Sequence, residues 1–139
     1  VKAWHSDYRT HELTRCFDDV NRRIISECDT ILNNFNNTKD RLKLHDMWVC
    51  IYEKGDKTVM HSHIPIDYSC CYYADIEEKS SPIKFLPKLE IFPKNDMLVI
   101  FPGNLDHEVL PTNGKRIVIA MNLIYPKRPP NSPSCIEYS

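Results

Sequence analysis

The sequence predicts a mainly β fold of the α+β class, in which an antiparallel sandwich or barrel carries one long helix on its outside. Three observations lead to this prediction. An apolar stripe with helical spacing runs through residues 10–36, and short β-prone runs follow it from residue 46 onward. No helical pattern alternates with those runs, so a doubly wound parallel sheet is not expected.

The predicted helix covers residues 10–36, and its apolar positions recur at steps of three and four. They are Leu13, Cys16, Phe17, Val20, Ile24, Cys28, Ile31, Leu32 and Phe35. Charged side chains fill the positions between them, and an asparagine-rich run at residues 33–40 ends the pattern. We expect the stripe to pack against the sheet.

Five runs rich in valine, isoleucine and aromatic residues predict strands, because proline, glycine, asparagine and aspartate separate them. They are MWVCIYEKG, YSCCYYADI, KLEIFP, DMLVIFP and KRIVIAMNLIY. We expect one domain over residues 1–139, with the β core at residues 46–125. The proline-rich tail at residues 126–139 is expected to be irregular.

Charge and hydropathy limit the classes of partner. The chain has 139 residues and a net charge of −1, so it lacks the strong basic field that attracts nucleic acid. No apolar run approaches the roughly 20 residues that span a bilayer. We therefore expect neither nucleic acid nor a membrane as a partner.

The six cysteines are expected to be free thiols. None of them forms a C-x-x-C zinc pair, and a domain of this size does not need disulfides for stability. Free thiols indicate a reducing compartment, and no signal-peptide core is visible, so we expect a cytoplasmic location. Val1 in place of a starting methionine indicates a trimmed or partial chain.

Three histidines form a candidate metal site. In an extended segment His61 and His63 point to the same side, and His107 follows a turn after a later strand. A barrel brings such strand ends to one mouth, where three neutral imidazoles could hold one face of a divalent metal. The pair at 61 and 63, taken alone, favours a surface or turn role. The addition of His107 and Arg116 at these spacings reverses this and favours a metal site. The remaining histidines, His5, His11 and His45, are expected on the surface.

Arg116 is a candidate anion-binding residue on the last predicted strand. Alternation places Arg116 and Asn122 on one face of that strand, while Ile117, Ile119, Met121 and Leu123 form an apolar face opposite. A cation and an amide are unusual on a core face and suit a lined pocket. Arg116 could clamp a dicarboxylate through a bidentate contact, with the Tyr52 hydroxyl assisting.

Five segments, in order, resemble 2-oxoglutarate- and Fe(II)-dependent dioxygenases, in particular the small prolyl-hydroxylase-like enzymes of bacteria and phages. The run Tyr52-x-x-Gly55-x5-His61-x-His63 resembles their Y-x-x-G…H-x-D segment, and His107 with Arg116 resembles their H…R pair. The other matching segments are YSCCYYAD, NDMLVIFPGNLDHEVLP and RIVIAMN. The resemblance runs from about Trp48 to Leu123.

The resemblance implies a double-stranded β-helix, that is, a jelly-roll or cupin-like barrel, and an oxygenase with no catalytic residue beyond its metal ligands. It implies Fe(II) at His61, His63 and His107, and 2-oxoglutarate at Arg116 and Tyr52, with ascorbate as a reductant. The implied substrate is a small molecule or a peptidyl group, such as a prolyl or other amino-acid residue. The sequence departs from the family at His63, which replaces an aspartate, and Asp67 is a second candidate for that ligand.

Two other readings fit the same residues. Gly55, His61, His63 and Asp67 also resemble the first cupin motif, which implies a metal protein that acts without 2-oxoglutarate as a dioxygenase, isomerase or sugar-binding module. A third reading is a non-catalytic barrel that binds a partner on its concave face. The position of Arg116 discriminates between the first two, because a cupin gives this residue no required role.

Overall fold

A computed structural model describes residues 2–126 of the chain. All of the predicted irregular tail except Pro126 lies outside the described residues. The elements are β1 (Trp4–His5), α1 (Thr10–Leu13), α2 (Asp18–Asn36), β2 (Lys43–Tyr52), β3 (Thr58–His61), β4 (Tyr68–Ile76), β5 (Ile83–Phe85), β6 (Leu89–Ile91), β7 (Leu98–Pro102), β8 (His107–Val109) and β9 (Arg116–Ile124).

The strands form two antiparallel sheets. A five-stranded sheet has the order β1-β2-β9-β4-β7, and a four-stranded sheet has the order β3-β8-β5-β6. From β2 onward the chain passes from one sheet to the other at each connection, except at the β5–β6 hairpin. This alternation winds the chain as in a jelly roll. The predicted mainly β fold with antiparallel sheets is confirmed.

Two hydrophobic clusters lie on opposite faces of the five-stranded sheet. Between the sheets, Val118 and Ala120 of β9 pack with aromatic and aliphatic residues of both sheets. On the other face, Met121 and Leu123 of β9 join Ile24, Cys28 and Leu32 of α2. Alternation along β9 thus sends one set of side chains into the barrel and the other set under the helix.

The single helix predicted over residues 10–36 is not confirmed, because the segment forms two helices. Thr14 adopts an extended conformation, with φ −148° and ψ 149°, and its hydroxyl accepts a hydrogen bond from the Cys16 amide at 3.3 Å. Such a local bond offers the backbone an alternative to the helix. The second helix ends at Asn36 and is capped by Asn37, whose φ of 55° is left-handed and whose amide donates to the Asn33 carbonyl.

The five cysteines among the described residues are free thiols. Cys28, Cys50 and Cys70 are buried, and burial raises the pKa of Cys50 to about 11. The Cys50 thiol is therefore neutral at physiological pH, and the three buried cysteines pack as small apolar side chains.

Within residues 2–126, no helix is both long and apolar enough to cross a membrane.

Candidate metal and anion site

Neighbouring strands of the four-stranded sheet bring the three histidines together. His61 ends β3 and pairs in register with His107, which begins β8. His63 follows in the loop after β3, and its ring centroid lies 4.8 Å from that of His61 and 5.0 Å from that of His107. One ligand atom from each ring falls within 4.8 Å of the others. The sequence prediction that these three residues converge agrees with this geometry.

A backbone network fixes the loop that carries His63. The His63 amide donates to the Gly103 carbonyl at 2.7 Å, and the Gly103 amide donates to the Asp67 carbonyl at 3.0 Å. A Cβ added at Gly103 would lie 2.0 Å from the Ile66 carbonyl oxygen. Only glycine permits this close approach, so Gly103 helps to set the position of the His63 ring.

Hydrogen bonds select which ring nitrogens can bind a cation. The Nδ1 atom of His61 lies 2.7 Å from the Val59 carbonyl, and Nδ1 of His107 lies 2.9 Å from the Leu105 carbonyl. A carbonyl only accepts, so both Nδ1 atoms carry the proton and both Nε2 atoms keep a free lone pair. The Nε2 atom of His63 lies 3.2 Å from Nε2 of His107.

The site favours neutral imidazoles. Burial, and then the nearby charges of His107 and His61, lower the pKa of His63 to about 4. Burial also lowers the pKa of His107 and outweighs the opposing effect of its bond to the Leu105 carbonyl. Neutral imidazole is the form that binds metal, and three such nitrogens suit a divalent first-row metal, so the donor set fits ferrous iron.

The structure places Asp67 apart from the histidines. Its Oδ2 atom accepts a hydrogen bond from the Tyr125 amide at 2.9 Å, just beyond the end of β9. Among the described residues, His63 and not Asp67 completes the cluster with His61 and His107. His5, His11 and His45 lie on β1, α1 and β2, outside the cluster.

Arg116 is a buried cation without a carboxylate partner. Only 1% of its surface is exposed, and its guanidinium carbon lies 4.6 Å from the ring centroid of Tyr52 and 5.8 Å from that of Tyr73. Its Nη1 atom donates to the Ser81 carbonyl at 2.7 Å, while its buried Nε atom has no hydrogen-bond partner. No ion pair within residues 2–126 includes Arg116. Because an uncompensated buried charge is costly, this position is suited to an anion supplied from outside.

One cavity joins the histidines to Arg116. It lies between the two sheets, has about 530 Å³ of empty space including its opening, and is lined by the three histidines, Tyr52 and Arg116. Much of the remaining wall is apolar and includes Ile83, Phe101, Val109, Val118 and Ala120. Such a wall limits water near the two binding groups.

Thr58 is a polar lining residue that the sequence did not indicate. Its Oγ1 atom lies 2.5 Å from the Tyr52 hydroxyl, and either oxygen can donate to the other. Burial raises the pKa of Tyr52 to about 12, so the phenol keeps its proton. One hydroxyl of this pair therefore has a proton left to offer to an anion beside Arg116. No sequence pattern indicated this role, because a register shift between Thr58 and His61 breaks the alternation that relates the two residues.

No protein-family model matches the chain, and no curated protein matches it. Several solved structures do match it. A 2OG-Fe(II) oxygenase family protein from Burkholderia pseudomallei aligns with a TM-score of 0.61 and 10% identity, over 69% of this chain and 51% of the other. The chain thus spans about half the length of that oxygenase.

Two prolyl hydroxylases also align with the chain. The viral collagen prolyl hydroxylase from Paramecium bursaria Chlorella virus-1, solved with 2OG, has a TM-score of 0.61 and 20% identity, with 76% of this chain and 71% of the other covered. A Pseudomonas putida prolyl-4-hydroxylase has a TM-score of 0.57 and 15% identity, with 78% and 65% covered. At these identities the likeness concerns the fold alone: the chain has the two-sheet fold of 2OG-Fe(II) oxygenases and prolyl hydroxylases.

Proposed function

We propose that the protein is an Fe(II)- and 2-oxoglutarate-dependent oxygenase that hydroxylates a small-molecule or peptidyl substrate. The observation that carries the proposal is a single cavity with two complementary binding groups. Three imidazoles, of which His61 and His107 keep Nε2 lone pairs free, line this cavity together with a buried guanidinium that has no carboxylate partner. A ligand that binds a metal at one end and carries a carboxylate at the other suits both.

Each residue has a distinct role in this proposal. The iron is held by His61, His63 and His107. When bound, it couples the reduction of dioxygen to the oxidative decarboxylation of 2-oxoglutarate. Arg116 binds the far carboxylate of 2-oxoglutarate, where its Nε atom gains the partner that it lacks. The Tyr52–Thr58 hydroxyl pair donates to the same carboxylate.

The overall reaction balances without another residue as acid or base. One substrate C–H bond, 2-oxoglutarate and dioxygen give the alcohol, succinate and carbon dioxide. The protein binds and orients the reactants and limits water, and ascorbate serves as an external reductant. Three neutral ligands leave the metal with its full double charge, which favours a dianionic co-substrate.

A cupin-type metal protein and a non-catalytic partner-binding barrel are the alternatives. Both leave Arg116 without a role, although it is a buried cation that contacts the Tyr52 ring inside the cavity. An unpaired charge in such a place is hard to explain by stability alone, since burying it costs free energy. Arg116 therefore favours the oxygenase. A cytoplasmic location and a prolyl or other amino-acid substrate remain predictions.

The test is release of succinate by the purified chain with Fe(II), 2-oxoglutarate and ascorbate, because some co-substrate is consumed even without the primary substrate. The Arg116→Met variant keeps the volume of the side chain and removes its charge. We expect its apparent affinity for 2-oxoglutarate to fall at least about 30-fold, as when one partner of a buried charge pair is removed. Lys115→Met is the matched control, because Lys115 is the preceding residue and has an exposed side chain. Equal affinity in all three proteins would rule out the role of Arg116.

A further inference from the structure

A second hollow adjoins the histidines on the outside of the barrel mouth. We call it the outer groove and define it by its lining residues: Tyr8, Asp46, Trp48, Val59, His61, His63 and Asn122. It is an open hollow with about 890 Å³ of empty space, part of which is open solvent. His61 and His63 line both the outer groove and the inner cavity, so a molecule in the outer groove lies next to the proposed metal. Its position beside His61 and His63 makes it a candidate place for a primary substrate.

Aromatic rings form one wall of the outer groove. The Tyr8 and Trp48 rings meet edge to face, with centroids 5.0 Å apart, and the Trp48 ring lies 6.1 Å from that of His63. Tyr8 is 47% exposed and Trp48 only 6%, so Tyr8 supplies most of the open ring surface of this wall. Exposed aromatic faces attract aliphatic chains and cations.

Asp46 is the one charged side chain among the residues that line the outer groove. Its Oδ2 atom accepts a hydrogen bond from Asn122 Nδ2 at 3.0 Å and lies 2.8 Å from Nδ1 of His45. The Ser69 hydroxyl donates to the Asn122 carbonyl at 2.8 Å and so fixes the amide. Burial raises the pKa of Asp46, but the hydrogen bonds from Asn122 and His45 outweigh it, so the pKa is lowered and the carboxylate is ionised at neutral pH.

The second oxygen of Asp46 still has capacity to accept. Within residues 2–126, its one ion-pair contact is with Arg9 Nη1, at 3.5 Å. Arg9 is already engaged by Glu12, through an Nε contact at 2.9 Å and an Nη2 contact at 2.5 Å. The Arg9 charge is thus largely balanced by Glu12, and Asp46 presents a net negative end to the outer groove.

We propose that the outer groove binds a primary ammonium group carried on an aliphatic chain. The ammonium lies at Asp46, and the chain runs along the Tyr8 and Trp48 rings toward His61 and His63. This names the substrate class of the proposed oxygenase and therefore rests on the proposed function. The carboxylate and the aromatic wall favour a cation over a neutral isostere. The ammonium could belong to a free amine or amino acid, or to a lysyl side chain of a peptide.

The test is isothermal titration of the metal-loaded chain, with Mn(II) and 2-oxoglutarate present and oxygen excluded. The first two probes are n-pentylamine and its neutral isostere 1-pentanol. We expect the amine to bind about tenfold more tightly. Equal binding of the two probes would overturn the proposal. L-Lysine and Nα-acetyl-L-lysine N-methylamide then distinguish the sources, because tighter binding of the blocked form indicates a peptidyl substrate and tighter binding of the free form indicates a small molecule.

Variants test whether the preference for the amine over the alcohol arises in the outer groove. Asp46→Asn should bring the ratio of amine to alcohol affinity close to one, whereas Asp75→Asn, an exposed aspartate on β4, should preserve it. An unchanged ratio in Asp46→Asn would contradict the assignment. Tyr8→Leu removes only a surface ring and should weaken amine binding about threefold, so it tests the site even if Asp46→Asn fails to fold.

A direct titration of 2-oxoglutarate in the same samples separates the two proposals. If 2-oxoglutarate binds but the amine shows no preference over the alcohol, the ammonium proposal fails and the oxygenase proposal stands. If the chain prefers the amine to the alcohol but does not bind 2-oxoglutarate, the outer groove is a cation-binding site and the oxygenase proposal fails.

Discussion

The two faces of strand β9 are both buried, but only one of them leaves a polar atom without a partner. The outer face carries Met121 and Leu123, which join a hydrophobic cluster with residues of α2. The inner face begins with Arg116, whose Nε atom is buried and unpaired. Buried apolar side chains need no partner beyond their packing. A buried donor without a partner destabilises the protein until a ligand accepts its hydrogen bond. The comparison indicates that one face serves stability and the other serves binding.

The largest expected effect concerns the outer face. Leu123 is completely buried, so Leu123→Ala should lower the free energy of unfolding by about 2–5 kcal/mol through lost transfer energy and a cavity. Denaturant unfolding measures this change. The folded fraction should still bind 2-oxoglutarate with the affinity of the wild type, because the side chain points away from the inner cavity. If Leu123→Ala also lost affinity for 2-oxoglutarate, the two faces of β9 would not have separate roles. Ile124→Ala, at the half-buried neighbouring position, should cost less stability.

A smaller effect is expected in the loop that positions His63. A Cβ at Gly103 would force the Ile66 carbonyl to move, and the His63 amide bonds to Gly103 itself. Gly103→Ala should therefore weaken Mn(II) or Fe(II) binding about 10- to 100-fold, as do changes that misorient metal ligands. Asn104→Ala is the control at the exposed adjacent position. If Gly103→Ala bound metal as tightly as the wild type, this loop would not determine the position of the His63 ring.

The smallest effect is expected from the hydroxyl pair on the inner side. Tyr52→Phe and Thr58→Val each remove one oxygen of the 2.5 Å contact without changing the charge of the cavity. Each should weaken 2-oxoglutarate binding only about 3- to 10-fold, since a neutral hydrogen bond contributes about 1 kcal/mol. Competition binding measures this. A loss as large as that of Arg116→Met would mean that the pair, rather than the guanidinium, is the principal anchor.

Much of the fold could be predicted from the sequence because its signals are periodic. The run at residues 68–76 matches β4, and alternation along the last run placed Arg116 and the apolar residues on opposite faces, as in β9. The strands missed as separate elements are short, with three residues in β5 and in β8, too few to display a period. The predicted helix is too long because Leu13 fits the apolar stripe, although Leu13 is 72% exposed and the extended residue Thr14 ends the first helix.

The candidate site could be predicted only in part. His61, His63, His107 and Arg116 carry distinctive chemistry at spacings that a barrel explains, and the structure brings them to one cavity. Thr58 and Asp46 were missed because ordinary polar residues give no sign of their role until neighbouring strands meet. Tyr8 lies far from the histidines in sequence, and only the packing of the N-terminal segment against Trp48 brings it to the outer groove.

The central claim is that one cavity binds a metal and a dianion together. Equilibrium dialysis of radiolabelled 2-oxoglutarate against the purified chain, with Mn(II) or with a chelator, tests it most directly. We predict one bound molecule per chain with Mn(II), and affinity at least about tenfold lower with the chelator. Absence of binding in the presence of the metal, or equal affinity with and without it, would contradict the account.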